Sequence, residues 1–213
     1  SLNCRSNQLT SLDVTKNPAL TDLTCYSNQL TSLDVTQNPD LTRLLCYSNQ
    51  LTSLDVTKNP DLTRLQCQSN RLTALDMTKN PALTYLECNS NRLTELDVTK
   101  NPLLVTLLCN SNRLTSLDVT QNTKLNNLQC YRNQLTTLDA SAMVNPTSYT
   151  LWCGRQTDAS GASQTLTLTL REEQKSYWTN SLSTNTNNTG TVELAESVSY
   201  THLRAHETAA NIV

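Results

Sequence analysis

Apolar residues recur along most of the chain at a fixed interval of 21 residues. The cysteines mark this period, and they stand at equal steps at Cys4, Cys25, Cys46, Cys67, Cys88, Cys109 and Cys130. One full unit, residues 20–40, has the pattern Leu-x-x-Leu-x-Cys-x-x-Asn-x-Leu-x-x-Leu, and seven consecutive copies keep this frame. A period of this size predicts a stack of similar coils, each of which contacts only its neighbours.

The first part of each unit has the alternation of a β-strand. Leu23 and Cys25 are separated and flanked by polar residues, which predicts a strand with one buried face. Asn28 follows at the point where the chain must turn, and a buried amide there can bond to the backbone of its own coil and of the next. We therefore predict a structural role for one asparagine in each coil: Asn7, Asn28, Asn49, Asn70, Asn91, Asn112 and Asn133.

The second part of each unit is predicted to return along the other side of the coil. Leu30, Leu33 and Val35 supply the apolar side chains of this return leg. The pair Asn38-Pro39 is typical of a helix cap followed by the first helical residue, which predicts one short helical turn. Too few residues remain before the next unit for a longer helix, so the convex side should consist of tight turns and short extended segments.

The cysteines are expected to be free thiols. Equivalent residues on adjacent parallel strands lie about 4.8 Å apart and point the same way, whereas a disulfide needs Cβ atoms turned towards each other at about 3.8 Å. A column on one side also cannot surround a metal ion with four sulfurs. We predict that they fill the core as small apolar side chains: Cys25, Cys46, Cys67, Cys88 and Cys109.

The repeat resembles the leucine-rich repeat, with cysteine at the third apolar position, over residues 1–140. Pattern and resemblance together predict an α/β-type solenoid that is mostly β. It should be a right-handed stack of coils with a parallel sheet on the concave side, short turns or 3-10 segments on the convex side, and a small C-terminal cap.

The pattern loosens after residue 140. The segment 151–153, Leu-Trp-Cys, repeats the strand signature 23 residues after Cys130 and predicts an eighth, atypical coil. Strict alternation of apolar and polar residues predicts a strand over 164–170. The segment 171–178 has acidic residues near its own start, which predicts a short helix there. A final strand is predicted at 192–194, so a strand, a helix and a strand should close the stack.

We expect three parts in the chain: a solenoid over 1–153, a cap over 154–197 and a tail over 198–213. Residues of the cap resemble the closing region of secreted or surface leucine-rich-repeat proteins of gut-type bacteria. The tail resembles a translated sequencing adaptor, so His202 and His206, its two histidines, are expected to have no biological role. Because the chain opens within a repeat, we expect it to be a fragment.

The side chains that point away from the core along the strands form the candidate ligand site. They vary from coil to coil while the frame stays fixed, and they are rich in Tyr and Arg, the residue types that dominate binding hot spots. Two leucines also point outward, although the packing of the sheet does not require apolar side chains on that side. The predicted site consists of Tyr26, Arg43, Leu45, Tyr47, Arg64, Gln66, Tyr85, Glu87, Leu108 and Tyr131.

An aspartate in each coil forms a second column. Stacked carboxylates repel unless each accepts hydrogen bonds or shares a cation. We expect bonds from nearby Thr hydroxyls or turn amides, and calcium remains the alternative. The column comprises Asp13, Asp34, Asp55, Asp76, Asp97, Asp118 and Asp139.

Composition and missing motifs exclude several function classes. A formal net charge of −2 provides no broad basic field for nucleic acid, and no run of eighteen apolar residues can span a bilayer. Outside the tail there is no histidine to activate a Ser or Cys nucleophile. We therefore predict no enzymatic activity, no cofactor and no metal.

The sequence thus predicts a non-enzymatic module that binds a protein or a glycan with its concave face and acts as a monomer. The resemblance implies a bacterial surface or secreted protein. Two alternatives remain open at this point: a structural spacer, and a targeting arm for a domain that this segment lacks.

Overall fold

The structure, a computed structural model, describes residues 1–143, 150–177 and 192–195. Within them the chain forms eleven short strands and one helix. In chain order these are β1 (Leu2–Asn3), β2 (Asp22–Thr24), β3 (Arg43–Leu45), β4 (Arg64–Gln66), β5 (Tyr85–Glu87), β6 (Thr106–Leu108), β7 (Asn127–Gln129), β8 (Thr137–Asp139), β9 (Thr150–Trp152), β10 (Leu166–Thr169), α1 (Glu172–Tyr177) and β11 (Val192–Leu194).

The described residues contain one eight-stranded parallel sheet, in the order β1-β2-β3-β4-β5-β6-β7-β9. Equivalent residues of neighbouring coils are in register, so that Leu23 pairs with Leu44 and Leu44 with Leu65. The last step joins Leu128 to Leu151 across the longer interval. These strands give about seven turns of a solenoid, which confirms the predicted fold, and β9 confirms the atypical eighth coil.

Six apolar side chains from each coil fill the interior. In residues 20–40 these side chains, each 0–7% exposed, are Leu20, Leu23, Cys25, Leu30, Leu33 and Val35. The same positions are buried in the coils that follow. The hydrophobic core is therefore one continuous column that runs the length of the stack.

The eight cysteines are free thiols, and all except the half-buried Cys4 are buried. Burial raises the pKa of the Cys25 thiol to about 12 and holds that of Cys67 well above its ordinary value. Because a thiolate is the reactive form, these side chains behave as apolar filling at neutral pH.

One column of asparagines, which we call the strand ladder, ties the end of each strand to the coil before it. Asn28 donates to the carbonyl oxygens of Cys4, Cys25 and Tyr26 at 3.0–3.3 Å, and its Oδ1 accepts from the amide of Leu9 at 3.0 Å. The partner coil is thus the preceding one, not the following one that we predicted. The strand ladder continues through Asn49, Asn70, Asn91, Asn112 and Asn133.

The predicted helical turn on the convex side is wrong. Two consecutive turns replace it, closed by the bonds from the Asn38 amide to the Val35 carbonyl and from the Leu41 amide to the Asn38 carbonyl, both 3.1 Å. Asn38 cannot cap a helix because its side chain is fully buried and donates to the preceding coil, to the carbonyl oxygens of Val14 at 3.0 Å and Asn17 at 2.8 Å. We call this second column the turn ladder: Asn38, Asn59, Asn80, Asn101 and Asn122.

Glutamine replaces asparagine in both ladders at the eighth coil. Gln156 donates to the carbonyls of Cys130 and Cys153 and accepts from the Leu135 amide, the bonds that an asparagine makes in each earlier coil. Gln174 donates to the carbonyls of Ala140 and Met143, in the manner of the turn ladder. The longer side chains preserve these contacts where the repeat interval has changed.

The C-terminal strands form a second parallel sheet, ordered β11-β10-β8 among the described residues. Leu168 pairs with Leu138 on the return leg of the preceding coil, and Leu166, Leu168 and Leu170 are buried. The predicted strand, helix and strand are confirmed with slightly narrower bounds for the first two. The predicted tail and the last residue of the predicted helix lie outside the described residues.

Candidate functional site

The side of the eight-stranded sheet that faces away from the core carries the predicted ligand site, and we call it the sheet face. Because strand side chains alternate, the burial of Leu44 directs its neighbours Arg43 and Leu45 to the other side. The same alternation places the ten predicted residues on one surface, from Tyr26 near the first coils to Tyr131 near the last.

Two tyrosines stack at the end of the sheet face that holds the first coils. The rings of Tyr26 and Tyr47 are nearly parallel, with centroids 4.2 Å apart and an interplanar angle of 10°. The guanidinium carbon of Arg5 lies 5.8 Å from the Tyr26 ring centroid, at the outer limit of a cation–π contact. Partial burial raises the pKa of Tyr47, so this hydroxyl stays protonated at neutral pH.

Four side chains of β4 and β5 form a connected group that we call the central network. The Arg64 guanidinium carbon lies 3.8 Å from the Tyr85 ring centroid. Glu87 Oε2 accepts from the Tyr85 hydroxyl at 3.0 Å and from Gln66 Nε2 at 2.6 Å, and Arg64 Nε donates to Gln66 Oε1 at 3.3 Å. Burial and the Glu87 carboxylate raise the pKa of Tyr85.

These contacts fix the side chains before any ligand arrives. Tyr85 and Gln66 both donate to Glu87, and the guanidinium of Arg64 covers the Tyr85 ring. A surface whose long side chains are already ordered loses less conformational entropy on binding. The arrangement suits recognition through stacking and hydrogen bonds.

The two outward leucines differ from the prediction. Leu45 lies on the sheet face but is only 5% exposed, and Leu108 is half-buried. The larger side chains of Arg43 and Tyr47 flank Leu45 on the same face, and its register partners are Thr24 and Gln66. Leu45 therefore lies beneath its polar and aromatic neighbours and supports them, and it is not exposed for direct contact with a ligand.

A depression of about 480 Å³ lies beside the tyrosine stack. An ion pair between Arg43 Nη1 and Asp22 Oδ2, 3.1 Å apart, forms part of its lining, together with both stacked tyrosines. The prediction omitted Asp22. Its position 21 residues before Arg43 could have indicated the pair, because that interval puts the two residues side by side.

A third aromatic contact lies at the other end of the sheet face. Tyr131 and Trp152 have ring centroids 6.2 Å apart and planes tilted by 60°. The prediction included Tyr131 but omitted Trp152, which follows the buried Leu151 and so points outward on β9. Aromatic groups thus occupy both ends of the sheet face.

The aspartate column lies outside the sheet face, on the return legs. Asp34 Oδ1 accepts from the Thr36 amide at 2.9 Å and from its hydroxyl at 2.7 Å, as we predicted, and the same pair recurs in neighbouring coils. These bonds hold the pKa of the Asp34 carboxyl below its ordinary value. No group of three or more side chains suited to a metal ion occurs within 1–143, 150–177 and 192–195.

No helix in the described part of the chain is both long and apolar enough to cross a membrane.

The repeated coil, its parallel sheet and the buried asparagine columns define the class of the protein: it has the leucine-rich-repeat fold. Among solved structures it is similar to the functional domain of InlJ from Listeria monocytogenes, which includes a cysteine ladder. The two chains share 37% identity over 79% of this chain and 43% of that one, with a TM-score of 0.51.

Two further bacterial structures share this fold. A leucine-rich-repeat protein of Leptospira interrogans is 29% identical over 63% of this chain and 37% of its own, with a TM-score of 0.59. YopM from Yersinia enterocolitica is 25% identical over 78% of this chain and 38% of its own, with a TM-score of 0.56. The chain spans less than half the length of each of these structures. No protein-family model matches the chain, and comparison with curated proteins gave no match.

Proposed function

We propose that this chain is a non-enzymatic recognition module that binds a protein or a glycan through its sheet face. The observation that carries the proposal is the row of ordered Tyr and Arg side chains across β2 to β5. The likeness to bacterial leucine-rich-repeat proteins supports a binding role. A location at the bacterial surface or outside the cell belongs to the same proposal and follows from the resemblance of the cap region.

The chemistry of the sheet face favours binding over a purely structural role. Tyr and Arg are enriched among the residues that contribute most to binding energy, because they combine a large apolar surface with polar groups. Tyr47 and Tyr85 are half-buried and held by ring contacts, so each can cover a ligand without losing much rotamer freedom.

The proposed centre of the site extends from the tyrosine stack to the central network. The depression beside Arg43 and Asp22 offers a place for a side chain or a sugar ring, with aromatic surface on one wall and an ion pair on another. Stacking on tyrosine and hydrogen bonds to Glu87 and Gln66 suit both a peptide and a sugar, so the ligand class stays open between these two.

The test compares the wild-type protein with a Tyr47→Ala/Tyr85→Ala variant on an array of purified glycans and extracellular protein domains. We expect wild-type binding to at least one component and a loss of roughly tenfold or more in the variant, because each truncated hot-spot residue costs more than about 1 kcal/mol. The melting temperature should fall only slightly, since neither ring lies in the core and the variant loses only contacts on the sheet face.

A Thr52→Ala/Thr94→Ala variant serves as the matched control. Both threonines are exposed on the return legs, away from the sheet face, and should not affect binding. Equal affinity of the tyrosine variant and the wild type would place the site elsewhere. Failure of the wild type to bind any component would favour the spacer interpretation.

A further inference from the structure

Six of the coils fall into two kinds at the turn that follows each strand, and the first and eighth coils belong to neither. Wherever the residue after the cysteine is Tyr, the residue after the strand-ladder asparagine is Gln. The three pairs are Tyr26 with Gln29, Tyr47 with Gln50, and Tyr131 with Gln134. Wherever the first residue is an amide, the second is Arg, in the pairs Gln68 with Arg71, Asn89 with Arg92, and Asn110 with Arg113.

The arginines lie on successive coils at one edge of the stack. The backbone amides of Arg71, Arg92 and Arg113 donate to Leu51, Leu72 and Leu93 of the preceding coils, each at 2.8 Å, so the three stand in register. The same turn carries Arg132 in the next coil and Arg155 in the eighth, each with a positive φ of 54–55°. We call these five residues the arginine edge: Arg71, Arg92, Arg113, Arg132 and Arg155.

The charges of this edge are not compensated. All five side chains are exposed, and none has an ion pair or a side-chain hydrogen bond with any described residue. Two other arginines have partners, because Arg43 pairs with Asp22 and Arg64 covers Tyr85. The lysines of the opposite turn form no ion pair within the described part of the chain, but they stand near the aspartate column, whose carboxylates offset their charge: Lys58, Lys79 and Lys100. Arg71, Arg92 and Arg113 form a row of like charges at a spacing of about 4.8 Å on a chain whose net charge is −2. Arg132 and Arg155 continue the basic edge from the column two residues earlier in the turn.

We infer that the arginine edge binds a linear acidic polysaccharide laid along the axis of the stack. Guanidinium groups form paired hydrogen bonds with sulfate and carboxylate groups. The neighbouring columns carry hydroxyls and amides, represented by Ser90 and Asn89, which suit a polymer rich in hydroxyl groups. The edge is one charge wide, and its three central coils have no aromatic residue beside the arginines on which bases could stack, so nucleic acid fits less well.

This site is separate from the sheet-face centre proposed above, because none of the five arginines belongs to it. The probe is heparin, which carries both sulfate and carboxylate groups. Hyaluronate carries carboxylates only, dextran is neutral, and a thymidine oligonucleotide and polyglutamate represent the other polyanions. We expect heparin to bind best, hyaluronate more weakly and dextran not at all, with affinity that falls as salt rises.

The decisive variant is Arg71→Gln/Arg92→Gln/Arg113→Gln. It introduces the residue that the same column carries at Gln29, Gln50 and Gln134, so the fold already accommodates it. We expect heparin affinity to fall roughly tenfold or more, because several charge-assisted bonds are lost. A second variant, Arg132→Ser/Arg155→Ser, introduces the serine found in that column in earlier coils and should cause a smaller loss.

The matched control is Lys58→Gln/Lys79→Gln/Lys100→Gln. It changes the net charge by the same amount on the opposite turn, where Gln37 and Gln121 occupy the same column. Heparin affinity should stay within about twofold of the wild type, because screening weakens distant charges. The Tyr47→Ala/Tyr85→Ala variant should also keep heparin binding. Equal losses in the arginine and lysine variants, equal binding of the oligonucleotide or polyglutamate, or no wild-type binding to heparin would each overturn the inference.

Discussion

The strand ladder and the turn ladder consist of the same residue at the same interval, yet their hydrogen bonds differ. Asn70 of the strand ladder donates to three carbonyls and accepts one amide bond, whereas Asn80 of the turn ladder donates to two carbonyls. The Oδ1 atom of Asn80 is buried without a bonding partner among the described residues. Burial alone therefore does not measure how much an asparagine contributes to the stability of this fold.

The most disruptive change should be Asn70→Leu in the strand ladder. It leaves the amide of Leu51 buried without a partner. It also removes one of the two asparagine donors from the carbonyls of Cys46 and Cys67, which keep their bonds from Asn49 and Asn91. We expect a loss of about 3 kcal/mol in the free energy of unfolding, because the unpaired buried amide costs about 1–3 kcal/mol and each lost carbonyl bond about 0.5–1.5 kcal/mol. Urea unfolding measures this loss. A cost below about 1 kcal/mol would contradict the bonding role of this ladder.

The equivalent change in the turn ladder, Asn80→Leu, should cost less. It removes one of two donors from each of the carbonyls of Val56 and Asn59, which keep their bonds from the backbone amides of Asn59 and Leu62. It also removes the buried acceptor atom that has no partner among the described residues. We expect a loss of about 1–2 kcal/mol. Measured in the same urea titration, equal costs at Asn70 and Asn80 would remove the distinction between the two ladders.

The Asp–Thr pairs beside the turn ladder should give a smaller, pH-dependent effect. Threonine bonds hold the pKa values of Asp55 and Asp76 below the ordinary 3.8. A lowered pKa in the folded state contributes stability above about pH 4, and this contribution is lost as the pH falls through the lowered value. We expect the melting temperature of the wild type to fall in this window.

The variant Thr57→Val/Thr78→Val removes the hydroxyl donors and should flatten that fall, with a loss at neutral pH below about 1 kcal/mol because both carboxylates are exposed. Melting curves from pH 7 to pH 2 check the prediction. Parallel wild-type and variant profiles would show that the hydroxyls do not set these pKa values.

The smallest effect should come from Ser69→Gly, next to the strand ladder. Ser69 has a φ of 55°, in the left-handed region that glycine adopts without steric cost. Its hydroxyl makes no hydrogen bond with any described residue, so we expect a gain of about 0.5 kcal/mol. Ser69→Val is the control and should destabilise the fold, because a branched side chain clashes in this conformation. A loss of stability in the glycine variant would show that the hydroxyl contributes.

The two ladders also show how far the sequence predicts the fold. The strand ladder was predictable because Asn28 follows a Leu-x-Cys strand at a forced turn. The turn ladder was not, since Asn38-Pro39 is equally typical of a helix start, and only the distance to the preceding coil makes the side chain a buried donor. Gln156 and Gln174 escaped prediction because the altered intervals hide their equivalence to asparagine.

The candidate site shows a similar division between what the sequence predicts and what packing decides. Alternation along the strands predicts which residues share the sheet face, and the interval of 21 predicts which lie side by side. It does not predict rotamers. The stacking of Tyr26 on Tyr47, the contact of Arg64 with Tyr85 and the burial of Leu45 depend on how neighbouring side chains fill the surface together.

The uniform interval of the central coils has a consequence for how such a gene can change. Each junction there is made by the same bonds, for example from Asn70 to Cys46 and from Asn91 to Cys67. Recombination that inserts or removes one whole coil in frame leaves every buried polar group of these columns with its hydrogen-bond partner. An insertion or deletion of any other length would misalign both asparagine columns. The length of the solenoid can therefore change by duplication of coils while the hydrogen bonds between neighbouring coils stay the same.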